Sequence, residues 1–235
     1  LIQSVQVFCE QKLKPVVADY DTSGEFPMKV YKDAMEMGLH CLEIPEAFGG
    51  LGLDNLSAAA ILSKVGEYDA GFATGLSAIS LALKPVLIAG TPEQKQLFAD
   101  IVVPGNFAAF GLTEPNAGSD AGSVTTTAEL DGDHYVINGR KTFITNGGVA
   151  DVYVVFASVD KSKGLKGLSA FIVEKKTPGI SVGKEENKMG IRLSNTTDVV
   201  FDNVVIPRAN LLGKEGEGFK IARMTLDLAR PFVGA

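Results

Sequence analysis

The chain has 235 residues, of which 46% are apolar, so it can bury one large hydrophobic core or two small ones and lacks the composition of a disordered chain. Its 22 basic and 28 acidic residues give a formal net charge of −6, and no segment gathers its lysines and arginines into a basic patch. Nucleic acid is therefore not an expected partner.

Cysteine and histidine are scarce and scattered. The two cysteines, Cys9 and Cys41, show no CxxC spacing, and the two histidines, His40 and His134, are isolated from each other. Neighbours such as His40 and Cys41 point in different directions in a helix or strand, and two further metal ligands are missing. The sequence predicts reduced thiols and no metal site.

The longest apolar stretch, residues 72–90, approaches the length of a membrane span but contains Lys84 and Pro85. We interpret it as a buried core helix. The chain starts without a methionine or a signal peptide, and we expect residues 1–235 to be part of a longer protein. The compartment stays open between the cytoplasm and the mitochondrial matrix.

Residues 1–105 carry helical patterns and predict an N-terminal helical domain. Apolar residues recur every three or four positions from Ile2 to Leu13, and later segments begin or end at typical capping residues. These signals are Gly38 as a helix end, Asp54 and Asn55 as a helix start, and Thr91, Pro92 and Gln94 as a capping box with proline at the first helical position.

From Phe107 the pattern changes to short strands, and residues 106–210 predict a middle β-domain. Residues 124–145 predict a three-stranded meander with tight turns at Asp131-Gly132 and Asn138-Gly139. Further strands are predicted in VYVVFASV, LSAFIVE and TDVVFDNVVIP. Strands of this length and spacing favour an antiparallel β-barrel or a sandwich.

Residues 211–235 return to a helical pattern in GEGFKIARMTLDLAR. Such an apolar helix normally packs against other elements, so we expect it to be the first helix of a truncated C-terminal helical domain. The predicted fold class is therefore α+β multidomain.

The loop GLTEPNAGSD, residues 111–120, is longer and richer in hydrogen-bond donors than a hairpin turn needs. Free amides and the hydroxyls of Thr113 and Ser119 suit an anionic or carbonyl-rich ligand. Neither a Walker loop nor a Rossmann fingerprint is present. A phosphate-bearing cofactor and a merely decorated loop both remain open.

A second polar element is KTFITNGG, residues 141–148. Phe143, Ile144 and Thr145 would place an aromatic face beside a hydroxyl, which suits a flat heteroaromatic ring. The alternative is an ordinary strand end with one buried phenylalanine.

The helical half and the motifs FGLTEPNAGSD, INGRKTFITNGG, KMGIRLSNTTDVVFDNVVIP and GKEGEGFKIARMTLDLAR, in this order, resemble the acyl-CoA dehydrogenase family of flavoproteins, short- or medium-chain type. The likeness covers the N-terminal and middle domains. It implies an α-helical domain, a β-barrel and a second helical bundle that together bind FAD.

The resemblance also implies roles for particular residues. Phe110, Leu112 and Thr113 would line the flavin ring, and Gly118 and Ser119 the pyrophosphate, with Ser119 also touching the CoA of the substrate. On the other side of the ring would lie Phe143, Ile144 and Thr145, where Phe143 replaces the family's usual tryptophan. Asp227 and Arg230 would border the acyl-CoA channel.

The implied reaction is an α,β-dehydrogenation of an acyl-CoA thioester to the trans-2-enoyl-CoA, as in fatty-acid β-oxidation. A glutamate removes the α-proton, the β-hydrogen leaves as hydride to the flavin, and electrons pass to an electron-transfer flavoprotein. No residue of this chain is assigned as that glutamate, and the full-length protein is expected to be a homotetramer. The alternatives are an enoyl-CoA reductase of the same fold, a non-catalytic acyl-CoA or flavin-binding module, and a carrier of apolar ligands.

Overall fold

The computed structural model describes residues 1–235 and begins with a group of α-helices. Their bounds are α1 (Ile2–Phe8), α2 (Val17–Ser23), α3 (Met28–Glu36), α4 (Asn55–Gly66), α5 (Ala70–Ala89) and α6 (Pro92–Val102), with a π-helical segment (Cys9–Leu13) after α1. The helical pattern predicted for the first part of the chain is thus present.

The starts of two helices follow directly from their capping residues. The Asp54 carboxylate accepts the amide of Ser57 at 2.8 Å before α4. Before α6, the hydroxyl of Thr91 accepts the amide of Gln94 at 3.3 Å, and the Gln94 side chain accepts the amide of Thr91 at 2.9 Å. These bonds satisfy amides that a helix leaves free at its start. The predicted caps are confirmed.

The second half is a sheet that ends in a helix. The strands are β1 (Phe107–Gly111), β2 (Thr127–Asp131), β3 (His134–Thr145), β4 (Ala150–Ser158), β5 (Leu168–Glu174), β6 (Ile180–Val182), β7 (Thr196–Pro207) and β8 (Leu211–Leu212), followed by α7 (Gly218–Gly234). This order of a helical domain, a β-domain and a helix confirms the predicted fold class.

The sheet differs in one respect from the antiparallel barrel of the prediction. The strand order is β6-β7-β3-β2-β4-β5-β8, and β1 pairs with β4 beside this path. The pairs β1–β4 and β2–β4 are parallel, and the edge strands β6 and β8 do not pair with each other. The sheet is therefore mixed, and it is not closed.

The tight turn predicted at Asn138-Gly139 is wrong. Both residues lie inside β3, which is one strand of 12 residues with a register shift against β7 between Ile137 and Gly139. A Cβ atom on Gly139 would lie only 2.4 Å from the Thr126 hydroxyl oxygen, so glycine serves a close approach of two chains there. Because β7 pairs along both halves of β3, the strand continues where the local sequence favours a turn.

Helix α5 lies at the centre of the molecule, as expected for residues 72–90. It is long and apolar enough to cross a membrane, but 61% of its most apolar window is buried inside the protein, as in a core helix. It packs against α4, α7 and β1. The hydroxyl of Tyr31 in α3 donates to the Phe72 carbonyl in α5 and to the Leu193 carbonyl at 3.1 Å each, and so joins the helices to the β-domain.

Helix α7 covers α5 with one face and leaves another exposed. The residues that pack inward are Gly218, Ile221, Ala222, Thr225, Ala229 and Phe232. The opposite face exposes the apolar side chains of Met224, Leu228 and Val233.

Candidate functional site

The loop of residues 111–120 is held from inside by a buried carboxylate. Glu114 accepts hydrogen bonds from the amide and hydroxyl of Thr125 at 2.7 and 2.6 Å, and from the amide and hydroxyl of Thr126 at 3.0 and 2.6 Å. Its backbone also pairs with Ala117 in both directions at 3.0 Å. The loop is therefore an ordered structure and not a free turn.

Glu114 also forms an ion pair with Lys141 of β3. The Lys141 ammonium donates to the Glu114 carboxylate at 2.7 Å and to the Leu112 carbonyl at 3.1 Å. Burial opposes the charge of Glu114, but the Lys141 ammonium and the threonine hydroxyls outweigh it and lower the pKa of Glu114 to about 2. Burial lowers the pKa of Lys141 to about 8, although Glu114 opposes this shift.

The same loop leaves hydrogen-bond donors unused. The backbone amides of Thr113, Gly118 and Ser119 donate to no other backbone group. A Cβ atom at Gly118 would meet nothing within 4 Å, so a ligand could approach this part of the loop closely. Open amides of this kind form concave sites for anions and carbonyl oxygens.

Phe143 lies beside this loop on a bulge. The amide of Thr142 donates to the Thr113 carbonyl at 2.9 Å, which brings the neighbouring Phe143 close to the loop. The register of β3 against β7 shifts between Lys141 and Ile144, and Phe143 has a left-handed φ of 54° with 64% of its surface exposed. A bulge re-aims a side chain, and here it turns an aromatic ring outward.

Asp198 of β7 fixes the bulge. Its carboxylate accepts the Thr142 hydroxyl and, at 2.8 Å, the Arg140 guanidinium. Burial opposes the charge, but these two hydrogen bonds hold the pKa of Asp198 below its ordinary value. Phe143 is thus held between residues that are anchored on both strands.

Thr145 and Asn146 form the corner at the end of β3. Asn146 is fully buried with a left-handed φ of 63°. Its side-chain amide donates to the Gly75 carbonyl in α5 at 2.8 Å and to the Ala108 carbonyl in β1 at 3.3 Å. These bonds place the half-buried Thr145 against α5.

Thr145 lines a cavity of about 230 Å³ between α5 and α7. Helix α5 contributes residues between Thr74 and Lys84, and α7 contributes Ala229, Phe232 and Val233. No carboxylate is among the lining residues. A narrow cavity faced mainly by carbon atoms suits a short apolar chain.

The other predicted residues fall into two groups. Phe110 is half-buried with its ring 5.0 Å from that of Phe156, and Leu112 and Ile144 are buried, so these residues lie along the floor of the region. Asp227 and Arg230 are both exposed on α7 and form no ion pair with each other. The structure therefore brings the loop and β3 together and leaves the two charged residues of α7 free for other contacts.

No group of three or more histidine, cysteine, aspartate or glutamate residues is placed to hold a metal ion. Cys9 and Cys41 are free and buried, and burial raises the pKa of both thiols, that of Cys9 to about 11.

The sequence interpretation missed the residues that support the site. Glu114, Lys141, Asn146 and Asp198 were not identified as such. The available signals were a lysine inside an apolar strand and consecutive threonines at residues 125–127. Both become informative only when their partners are known.

Comparisons with known families decide the relationship. Residues 1–105 match the family model described as acyl-CoA dehydrogenase, N-terminal domain, and residues 109–204 match the one described as acyl-CoA dehydrogenase, middle domain. The chain belongs to the acyl-CoA dehydrogenase family. The resemblance inferred from the ordered motifs is confirmed.

Among curated relatives, the short-chain-specific acyl-CoA dehydrogenase of Clostridium acetobutylicum is 45% identical over 99% of this chain and 62% of its own length. The acryloyl-CoA reductase (NADH) of Anaerotignum propionicum is 48% identical over 97% of this chain and 59% of its own length. The chain spans about three fifths of the length of these relatives.

Solved structures show the same relationship. The butyryl-CoA dehydrogenase from Megasphaera elsdenii matches with a TM-score of 0.94 at 45% identity, over 98% of this chain and 62% of its own. An acyl-CoA dehydrogenase from Bacillus anthracis, solved in complex with FAD, matches with a TM-score of 0.90 at 37% identity, over 99% of this chain and 40% of its own.

Proposed function

We propose that the protein is an FAD-dependent oxidoreductase that converts a short-chain acyl-CoA thioester to its trans-2-enoyl-CoA. The observation that carries this proposal is the row of unused amides from Thr113 to Ser119 beside the outward-turned ring of Phe143. The short-chain dehydrogenases of Clostridium acetobutylicum and Megasphaera elsdenii support the choice of substrate.

The residues present fit a flavin. An isoalloxazine ring is flat and carries carbonyl oxygens and ring nitrogens at its edge, so it needs an aromatic or apolar face and nearby donors. The exposed ring of Phe143 offers the face, and the Thr113 amide offers a donor on the adjoining loop. When bound, FAD would supply the acceptor for a hydride.

We assign the flavin contacts in three groups. Phe110, Leu112 and Thr113 lie along one side of the ring and its pyrimidine edge, and Phe143, Ile144 and Thr145 lie along the other. Gly118 and Ser119 contact the pyrophosphate, since their amides are unused and the space beyond Gly118 is open. The bulge at Phe143 supports this assignment because it turns the ring away from the core.

The substrate is proposed to enter between α5 and α7. The acyl chain would occupy the cavity that Thr145 lines, where the surrounding carbon surface excludes water. Ser119, Asp227 and Arg230 would contact the CoA portion, since all three side chains are exposed.

An α-proton of a thioester is only weakly acidic, so its removal needs a carboxylate base and stabilisation of the negative charge that develops on the carbonyl oxygen. The dry cavity strengthens hydrogen bonds to that oxygen. Because no carboxylate lines the cavity, we propose that the base lies outside residues 1–235.

Further parts of the proposal rest on the family resemblance. They are an electron-transfer flavoprotein as the electron acceptor, a homotetramer as the full-length assembly, and a role in fatty-acid β-oxidation. The exposed apolar side chains of Met224 and Leu228 on α7 are consistent with a face that is covered in a larger assembly.

The reverse reaction is the second candidate, because the acryloyl-CoA reductase of Anaerotignum propionicum is 48% identical to this chain. Both reactions use the same site and differ in the direction of hydride transfer. Anaerobic mixing separates them: a dehydrogenase bleaches its flavin absorbance with butyryl-CoA, whereas a reductase recovers this absorbance when its reduced form meets an enoyl-CoA.

The cofactor assignment is tested by titrating the purified protein with FAD and measuring the bound flavin after gel filtration. Phe143→Ala should weaken binding about tenfold, which corresponds to the loss of one aromatic contact. Leu130→Ala, at an exposed apolar residue of β2, is the matched control and should leave binding unchanged. Equal affinities of the wild type and Phe143→Ala would refute the assignment.

A further inference from the structure

We propose that Lys84 sets the length of the acyl chain that the cavity accepts, because it holds Phe232 in place as the wall at one end. This inference rests on the proposed function, since it takes the cavity between α5 and α7 as the acyl site. It makes Lys84 a positioning residue that acts on the substrate through Phe232.

Lys84 is a buried charge in an otherwise apolar helix, and its position is fixed by partners. Its ammonium donates to the Glu43 carboxylate and, at 2.7 Å, to the Asn55 side-chain oxygen. The side chains of Lys84 and Glu43 are each only 5% exposed. Since an unpaired buried charge is strongly unfavourable, this arrangement leaves the ammonium little freedom to move.

The ammonium faces the ring of Phe232 in α7. The Lys84 nitrogen lies 5.3 Å from the ring centroid, within the range of a cation–π contact. Asn55 adds a second connection, because its side-chain amide donates to the Leu228 carbonyl at 3.2 Å. Leu228 lies one turn before Phe232, so the cluster of Glu43, Asn55 and Lys84 holds α7 at two successive turns.

Phe232 separates two cavities. Its side chain is buried and lines both the cavity of about 230 Å³ that contains Thr145 and a neighbouring cavity of about 430 Å³. The residues common to both are Thr74, Ser77, Phe232 and Val233. Phe232 is the largest of these, so removing or releasing its ring would join the two spaces and admit a longer chain.

The test uses the protein expressed from its complete gene and purified with its flavin. The variants are Phe232→Ala, Lys84→Met, the double variant Glu43→Met/Lys84→Met, and Asn55→Ala. Lys14→Met, which removes an exposed ion pair with Glu10, is the matched control. For each variant, kcat and KM are measured with butyryl-, hexanoyl- and octanoyl-CoA, and folding is checked by thermal melting.

The expected result is a change in chain-length preference and not only in activity. The ratio of kcat/KM for octanoyl-CoA to that for butyryl-CoA should rise about tenfold or more in Phe232→Ala, mainly through a lower KM for octanoyl-CoA. It should also rise, by a smaller factor, in both Lys84 variants and in Asn55→Ala. The double variant leaves no unpaired carboxylate behind, so it keeps the test valid if Lys84→Met does not fold.

Each contrary outcome removes a different step. An unchanged ratio in folded Phe232→Ala overturns the assignment of Phe232 as the wall. A raised ratio in Phe232→Ala together with unchanged ratios in the double variant and Asn55→Ala overturns the role of Lys84. A wild-type protein that neither binds nor converts any of these thioesters overturns the proposed function itself.

Discussion

Lys141 and Glu114 form an ion pair that is closed to solvent, with 2.7 Å between the ammonium and the carboxylate and side chains that are 0% and 1% exposed. Glu114 belongs to the donor loop, and Lys141 precedes the bulge that carries Phe143 by two residues. The pair therefore fixes the loop relative to the aromatic ring that we assign to the flavin face.

Replacing Lys141 by methionine should destabilise the protein by about 3–5 kcal/mol, because it leaves the Glu114 carboxylate buried without a cation. Urea unfolding measures the change. Lys163→Met removes an exposed ion pair with Asp160 and should change the free energy of unfolding by at most about 0.5 kcal/mol. A similar effect of both substitutions would show that the buried pair has no special weight.

Stability should depend on pH through Glu114. Its pKa is about 2 in the folded protein and 4.5 ordinarily, so the unfolded chain takes up this proton first as the pH falls. The stabilisation from Glu114 is complete above pH 4.5 and is lost as the pH falls towards 2, a change of about 3 kcal/mol. The stability difference between the wild type and Glu114→Gln, measured by urea unfolding from about pH 6 to about pH 3, should narrow on acidification. A constant difference would contradict the prediction.

Phe143 has a backbone conformation that suits glycine better than any other residue. Phe143→Gly should therefore be more stable than Phe143→Ala by about 1 kcal/mol, because alanine keeps the cost of the left-handed φ of 54°. Both variants should bind FAD more weakly than the wild type, since both lack the ring. Thermal melting and flavin titration of the two variants separate backbone strain from ligand contact, and an equal or greater stability of Phe143→Ala would argue against strain at this bulge.

Asn146 should be important for stability because it connects β1, β3 and α5. Asn146→Gly retains the backbone conformation but removes the donors to the Gly75 and Ala108 carbonyls, and we expect a loss of about 2 kcal/mol. Asn146→Ala should lose about 1 kcal/mol more because of its left-handed φ. Chemical unfolding of both variants provides the measurement. A loss below about 0.5 kcal/mol in Asn146→Gly would show that these hydrogen bonds contribute little.

The donor loop illustrates how far the sequence reaches towards the site. Its glycines and hydroxyl residues indicated a ligand-binding loop without any structure. The anchoring role of Glu114 could not be predicted, because its partners lie at Thr125, Thr126 and Lys141 and meet only in the folded β-domain.

What the sequence by itself determined are features that depend on neighbouring residues and on ordered motifs. The caps of α4 and α6 involve side chains and amides only three residues apart, so the local pattern predicts them. The family followed from several motifs in a characteristic order.

Only the tertiary structure decided the continuation of β3 through Gly139, the bulge at Phe143 and the cavity between α5 and α7. In each case the deciding partner comes from a distant segment, such as Gly75, which lies 71 residues before Asn146. Packing and pairing across such separations can outweigh the preference of a few consecutive residues, as the missing turn at Asn138-Gly139 shows.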